Sequence, residues 1–227
     1  KVEKYIFEHM FKYVFFDLDG TLLNTIDDLA AAGNYALTQQ GFEPYPVERY
    51  KYFVGNGIPK LIERILPAGS SPGLREKTHD LFAEYYGAHS EDMTRPYDGI
   101  AALIGQLYDN GIRTAVITNK DHIFAGELIR RYFGERITAV YGSVPGVPHK
   151  PDPQIVNRAI SELGAARDEI LYVGDSGVDM QTAKNAGLVS AGVLWGFRKR
   201  EELTENGAMH ICERPEDIAE LVFGIVK

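Results

Sequence analysis

Short runs rich in β-branched and aromatic residues alternate with helically spaced apolar positions through the second half of the chain. Residues 113–118, 137–142, 169–174 and 188–194 read as strands, and 122–132, 153–163 and 178–186 between them as helices. This alternation is the signature of βαβ units stacked around a parallel sheet. Asp152 followed by Pro153 gives the second of these helices an N-cap and a first-turn proline. One further apolar run, Tyr13–Phe16, stands far upstream, and the residues after it do not continue the alternation. Between residues 23 and 93 the apolar positions recur instead at helical spacing: Leu29, Ala32 and Ala36, then Leu61, Ile65 and Leu66, then Leu81 and Tyr85. The pattern predicts an α/β, Rossmann-like parallel-sheet core made of residues 1–22 and 94–227, with an inserted α-helical cap domain at 23–93. Glycines and prolines put a bend at 55–59 and a return hinge at Arg95-Pro96-Tyr97-Asp98-Gly99.

Composition narrows the functional classes. The chain has 227 residues, 44% hydrophobic and 25% charged, which is ordinary for a globular protein. No apolar run approaches the roughly 20 residues that span a bilayer, so no membrane partner is expected. A net charge of -8 disfavours nucleic acid, and the densest basic cluster, Arg198-Lys199-Arg200, is followed at once by Glu201 and Glu202. A phosphorylated ligand must then be drawn in by local cations or a metal. Cys212 is the single cysteine and cannot form an intrachain disulfide, and the residues before Met10 lack the pattern of a signal peptide. A cytoplasmic location is the expectation, and residues 1–9 read equally well as a native or an added extension.

Four strand ends carry the candidate chemistry. In Phe16-Asp17-Leu18-Asp19-Gly20-Thr21 both aspartates emerge where an apolar strand stops, and residues i and i+2 share a side in extended chain. A bare Asp-x-Asp is commonly a solvated turn. The apolar run ahead of this one argues against that, and two carboxylates so close need a bridging cation or a retained proton. Gly174-Asp175-Ser176-Gly177-Val178-Asp179 again sets carboxylates after an apolar strand, in a segment that also suits a capped helix. Thr118-Asn119-Lys120 offers a hydroxyl and a run of N–H groups leading to a helix start, a seat for phosphate. His149-Lys150-Pro151 adds a lysine.

Together these groups suit phosphoryl transfer. A carboxylate can attack phosphorus in line if a cation such as Mg²⁺ screens its repulsion from the dianion. Lys150, Thr118 and the Asn119 N–H would hold the other phosphoryl oxygens. Asp19 would protonate the leaving group and later deprotonate water. The six histidines show no paired metal-ligand spacing.

Asp17-Leu18-Asp19-Gly20-Thr21-Leu22, Thr118-Asn119, Lys150 and Gly174-Asp175-Ser176 with Asp179 resemble, in order and type, the motifs of the haloacid dehalogenase-like hydrolase superfamily. The resemblance spans residues 11–227 and implies a helical type 1 cap. It implies Asp17 as nucleophile, Asp19 as acid/base and as a metal ligand through its carbonyl, and Thr118 as phosphate anchor. Lys150 would then stabilise charge, Asp175 would ligate Mg²⁺, and Asp179 would support the site. The dehalogenases that name the group lack an aspartate at the position of Asp19, which favours phosphate chemistry.

Phe53-Val54-Gly55-Asn56-Gly57, the hinge and Trp195-Gly196-Phe197-Arg198 resemble the phosphoglycolate phosphatase branch, from which Asn24 departs where many members carry aspartate. A small phosphorylated metabolite is the implied substrate. Pyrophosphatase, nucleotidase, sugar-phosphate phosphatase and β-phosphoglucomutase activities stay open, as does, more remotely, a non-catalytic phosphate- or partner-binding protein. Asn56, Lys60 and Arg64 are the cap side chains expected to set specificity, with an exposed helix face as the alternative for Lys60 and Arg64.

Overall fold

The computed structural model describes residues 11–224; residues 1–10, including the extension ahead of Met10, and 225–227 lie outside the described residues. In chain order the elements are β1 (Tyr13–Phe16), β2 (Leu23–Asn24), α1 (Ile26–Thr38), α2 (Val47–Phe53), α3 (Ile58–Ile65), α4 (Pro72–His89), β3 (Arg95–Pro96) and α5 (Ile100–Asp109). They continue with β4 (Arg113–Asp121), α6 (His122–Tyr132), β5 (Ala139–Ser143), α7 (Gln154–Leu163), β6 (Ile170–Gly174), α8 (Gly177–Ala186), β7 (Val189–Val193), α9 (Arg200–Glu205), β8 (His210–Cys212) and α10 (Pro215–Phe223).

Six strands form one parallel sheet in the order β5-β4-β1-β6-β7-β8. The chain leaves β1 toward β4 and β5 on one side, then returns to β6 on the other. The strand order therefore reverses beside β1, and in open α/β sheets that point opens a crevice at the carboxyl ends of the strands. Phe16 is in register with Val116 of β4 and Val173 of β6, so the residues just beyond them, Asp17, Ile117 and Gly174, start out side by side.

Alternation along the strands feeds two apolar layers. Val14 and Phe16 of β1 face a cluster that includes Leu103 and Leu107 of α5, Leu128 of α6 and Ile218 of α10. Tyr13 and Phe15 face the opposite side, with Ile155 and Val156 of α7 and Ala183 of α8. A strand buried on both faces reads as an unbroken apolar run, as β1 and β6 do. A third cluster lies within α1 to α4, joined by Phe197 from the loop after β7.

The chain passes between the sheet and these four helices at an antiparallel ribbon in which β2 pairs with β3. Asp28 of α1, buried, accepts hydrogen bonds from the Met93 and Thr94 N–H groups and ties the helix to that crossing.

Several boundaries differ from the sequence expectation. β4 continues past Thr118 to Asp121 through a register irregularity, and Asp121, not the 118–120 run, caps α6 by accepting from the Ile123 and Phe124 N–H groups. Pro153 itself is the N-cap of α7, while the Asp152 side chain accepts from the Gln154 N–H. β5 starts two residues late, because a short 3-10 turn at Gly134–Arg136 precedes it. In α4 the buried face is Thr78, Phe82 and Tyr86; Leu81 and Tyr85 lie one position away and are only partly covered. β2, β3 and β8 are too short to carry a period and went unread. No described helix is long and apolar enough to cross a membrane.

Candidate active site

Asp17 leaves β1 with its N–H still donating to the Val173 carbonyl at 2.9 Å, so its side chain is held by the sheet ladder at the crevice. Lys150, buried in the loop before α7, places Nζ 3.0 Å from Asp17 Oδ1 and donates to Asp179 Oδ1 at 2.7 Å and the Ile117 carbonyl at 2.9 Å. Asp179 Oδ2 accepts from the Ser176 hydroxyl and N–H at 2.6 and 3.1 Å, forming the capping box that starts α8. One carboxylate thus caps a helix and anchors the lysine beside Asp17.

Asp175 sits between the Thr21 hydroxyl, 3.2 Å from Oδ1, and the Phe197 N–H, 2.8 Å from Oδ2. Backbone crowds it closely: a Cβ on Gly20 would fall 2.4 Å from Asp175 Oδ2, and one on Gly196 2.3 Å from its Cβ. The Trp195 indole N–H fixes this wall by donating to the Thr21 carbonyl at 2.9 Å.

Asn119 braces the opposite side. Its side chain accepts from the Lys150 N–H at 2.8 Å and donates to the carbonyls of Lys150 and Gly55 at 3.2 and 3.0 Å, linking β4 to the loop between α2 and α3. Thr118 is buried beside it, its hydroxyl accepting from the Lys120 N–H at 3.2 Å. Because β4 stays extended here, these groups stand on a strand end and not at the helix start that the sequence suggested.

Asp17, Asp19, Thr118, Asn119 and Lys120 line one partly open cavity of about 30 Å³, whose roof is Leu29, Val54, Gly55, Gly57, Ile58 and Leu61. That is room for about two waters. Asn56, Lys60 and Arg64 are not in the lining. Lys60 pairs with Glu63 on the exposed face of α3, and Arg64 donates to the Phe53 carbonyl and Asn56 Oδ1 at 2.8 Å each. The reason is helical phase: α3 turns Leu61, Ile62 and Ile65 inward, which sends Lys60 outward and Arg64 along the side. His149 stays outside as well, with Nε2 2.7 Å from the Ser143 hydroxyl.

Charge is unevenly distributed. Burial first, then Asp179 and Asp19, with Lys150 only partly offsetting them, pushes Asp17 up to about 7. Burial, Asp179 and Asp17 push Asp175 up to about 8. Lys150 stays charged in the opposite sense: burial opposes its charge, yet Asp17 and Asp179 outweigh this and hold its pKa well above the usual lysine range.

Asp17, Asp175 and Asp179 offer oxygens within 4.8 Å of one another. Three carboxylates against one ammonium leave two negative charges, the complement of a divalent cation. Asp17 Oδ1 is buried without a hydrogen bond, since Lys150 approaches it off-line. Asp179 is committed to the Lys150 ammonium at 2.7 Å, whereas Asp17 keeps an oxygen without a hydrogen bond and the Asp175 oxygens meet only neutral donors, so Asp17 and Asp175 are the pair that fits a hard cation with oxygen ligands.

Lys120 and Tyr86 escaped the sequence reading. Lys120 Nζ donates to Asp19 Oδ1 at 3.1 Å and to Oδ2 at 3.4 Å, and to the Tyr86 hydroxyl at 2.7 Å. The signal was available for Lys120, which shares a side of extended chain with Thr118. None existed for Tyr86, which reaches the site from α4, remote in sequence.

This arrangement, a buried carboxylate at a switch point with a lysine and a second carboxylate at adjoining strand ends, has relatives. Residues 14–193 match the model of the haloacid dehalogenase-like hydrolase family, and the chain belongs to that family. It is an enzyme of the hydrolase class. A phosphoglycolate phosphatase of Neisseria meningitidis is 36% identical over 206 residues, covering 88% of this chain and 87% of that protein. One from Cereibacter sphaeroides is 38% identical over 190 residues, covering 82% and 86%. A crystal structure from Lactobacillus delbrueckii subsp. bulgaricus superposes with a TM-score of 0.90 at 32% identity, covering 95% of this chain and 99% of that one.

Proposed function

We propose that this enzyme is a Mg²⁺-dependent phosphatase that hydrolyses a small phosphate monoester, phosphoglycolate, through an aspartyl-phosphate on Asp17. The observation that carries this reading is the buried Asp17 carboxylate, with one oxygen free of hydrogen bonds, in a cavity shared with Asp19, Thr118 and Asn119. An Asp17 oxygen attacks phosphorus in line, and the ester P–O bond breaks with its electron pair staying on the leaving oxygen. Asp19 gives that oxygen its proton and afterwards takes one from the water that hydrolyses the acyl phosphate. Lys150 and the Thr118 hydroxyl bind the phosphoryl oxygens as their charge shifts. Mg²⁺, held by Asp17, Asp175 and the Asp19 carbonyl, would screen the repulsion between nucleophile and dianion.

The named activity of the Neisseria and Cereibacter relatives supports the substrate. The small cavity under an apolar roof also favours a leaving group of few atoms. In this reading α1 to α4 act as the cap, and Asn56 and Arg64 shape specificity by bracing the loop over the cavity, without touching substrate. The single cysteine, buried and unpaired, suits a reducing cytoplasm.

Phosphate release from phosphoglycolate, a hexose phosphate and pyrophosphate, with Mg²⁺ or with chelator, tests the proposal. Phosphoglycolate should be turned over fastest and only with the cation, and Asp17→Asn should abolish release. Wild-type turnover in Asp17→Asn would overturn the aspartyl-phosphate route. Conversion of a hexose phosphate to its isomer without free phosphate would overturn the hydrolase assignment in favour of a mutase.

A further inference from the structure

Lys120 is a buried cation in the lining of the cavity, and its hydrogen bonds go to neighbouring side chains. Of the three protons an ammonium carries, the geometry directs two to the Asp19 oxygens and one to the Tyr86 hydroxyl. Lys150 is the lysine that approaches Asp17. Among the described residues no other donor bonds the Asp19 carboxyl, so the rotation of that group rests on Lys120.

Lys120 is itself held from the helical layer. Its Nζ lies 4.8 Å from the centre of the Tyr86 ring, whose hydroxyl it bonds. That ring stacks on Phe82 of α4 at 5.5 Å and meets Phe124 of α6 edge-on at 5.6 Å. The contact therefore joins α4 to the end of β4 through a rigid aromatic side chain and one lysine.

We propose that Lys120 is a positioning residue for the Asp19 carboxyl, and that Tyr86 completes its hold, so that proton delivery to the leaving group is in register only when α4 is seated over the site. This rests on the reading of Asp19 as the general acid. Asp17 bonds to phosphorus, the ester P–O bond breaks, and the departing oxygen takes the Asp19 proton, so a misplaced Asp19 penalises departure in proportion to the basicity of that oxygen. An alkoxide needs the proton; a nitrophenolate leaves without it. A phosphate-binding role for Lys120 would penalise both esters alike.

The test compares kcat/KM, which reports events up to leaving-group departure, for phosphoglycolate and 4-nitrophenyl phosphate in the Mg²⁺-loaded enzyme. Lys120→Met should lower the alkyl-to-aryl ratio about 100-fold, the scale of general acid catalysis. Tyr86→Phe, which keeps the ring and removes only the hydroxyl, should lower it about tenfold, and Lys120→Arg should restore part of the ratio lost in Lys120→Met. Asp19→Asn is the reference. If it separates the two esters while Lys120→Met and Tyr86→Phe depress both equally, the positioning role is overturned and the phosphatase reading stands. If Asp19→Asn itself fails to separate them, the general-acid reading falls and the positioning proposal with it.

Discussion

Replacing Asp175 with asparagine should stabilise the metal-free protein while abolishing its turnover. Asp175, Asp17 and Asp179 hold carboxylate oxygens within 4.8 Å of one another. At an effective dielectric of about 20, one such pair at that separation repels by about 3 kcal/mol. Lys150 compensates only part of this, being committed to Asp179 and Asp17. Proton linkage gives the same order. The Asp175 carboxyl rises from 3.8 to about 8 on folding, so between those values the folded state binds more protons than the unfolded chain. Its contribution then makes stability fall as pH rises, and the cost vanishes only below the unfolded value. Near pH 7.5 that cost is roughly 3 to 5 kcal/mol.

Asparagine keeps the volume, can still accept from the Phe197 N–H and does not titrate. Recovering even about 2 kcal/mol should raise the melting midpoint by about 4 to 8 °C in a chain of this size. Melts in chelator at about pH 5.5 and about pH 7.5 should show a larger gain at the higher value. Added divalent cation should stabilise wild type and leave the variant unmoved. A variant that melts no higher than wild type in chelator at the higher pH, or one that cation stabilises equally, would refute the reasoning.

Other perturbations separate structural from chemical roles. Lys150→Met leaves the Asp17 and Asp179 charges buried without their cation and should cost about 3 to 5 kcal/mol in denaturant titrations, where a loss below about 1 kcal/mol would contradict the buried pair. Asp28→Ala strips the acceptor from the buried Thr94 N–H and from that of Met93, so it should cost about 2 to 4 kcal/mol and speed amide exchange at those two positions. Cys212 is buried, and burial followed by Asp217 pushes its thiol up to about 12, so an aromatic disulfide reagent should label it only on unfolding. Immediate stoichiometric labelling of the native protein would contradict that burial.

How much of this the sequence disclosed depends on where the information lies. β1, β6 and α8 were legible because each pairs an unbroken apolar run or a capping pattern with a strand-end carboxylate, and both signals are local. The phase of α4 was not, since Leu81 with Tyr85 and Phe82 with Tyr86 repeat at the same spacing and only packing chooses between them. That choice decides whether Tyr86 reaches Lys120. Arg64 shows a related gap: a cation on the helix after a glycine-rich bend suggests an anion, but its side chain here donates to the Phe53 carbonyl and to Asn56 Oδ1. Backbone acceptors leave no trace in the side-chain pattern.

The two buried lysines divide the site into halves of different charge. Lys120 meets one carboxylate, Asp19, at 3.1 Å; Lys150 meets Asp17 and Asp179 with Asp175 alongside, and that half carries two surplus negative charges once all three carboxylates are ionised. A carboxylate paired with its own lysine has little call on a divalent cation, so a surplus on the other half would draw such an ion to Asp17 and Asp175 and keep it off the Asp19 carboxyl. In the proposed mechanism the nucleophile needs a screened anion and the general acid needs a carboxyl held in one orientation, and the two lysines meet these needs at separate places. Had one lysine served both aspartates of the Asp17-Leu18-Asp19 segment, the two functions could not be set apart across one intervening residue. Supplying the cations from separate strand ends, Lys120 at the end of β4 and Lys150 before α7, is what makes that separation possible.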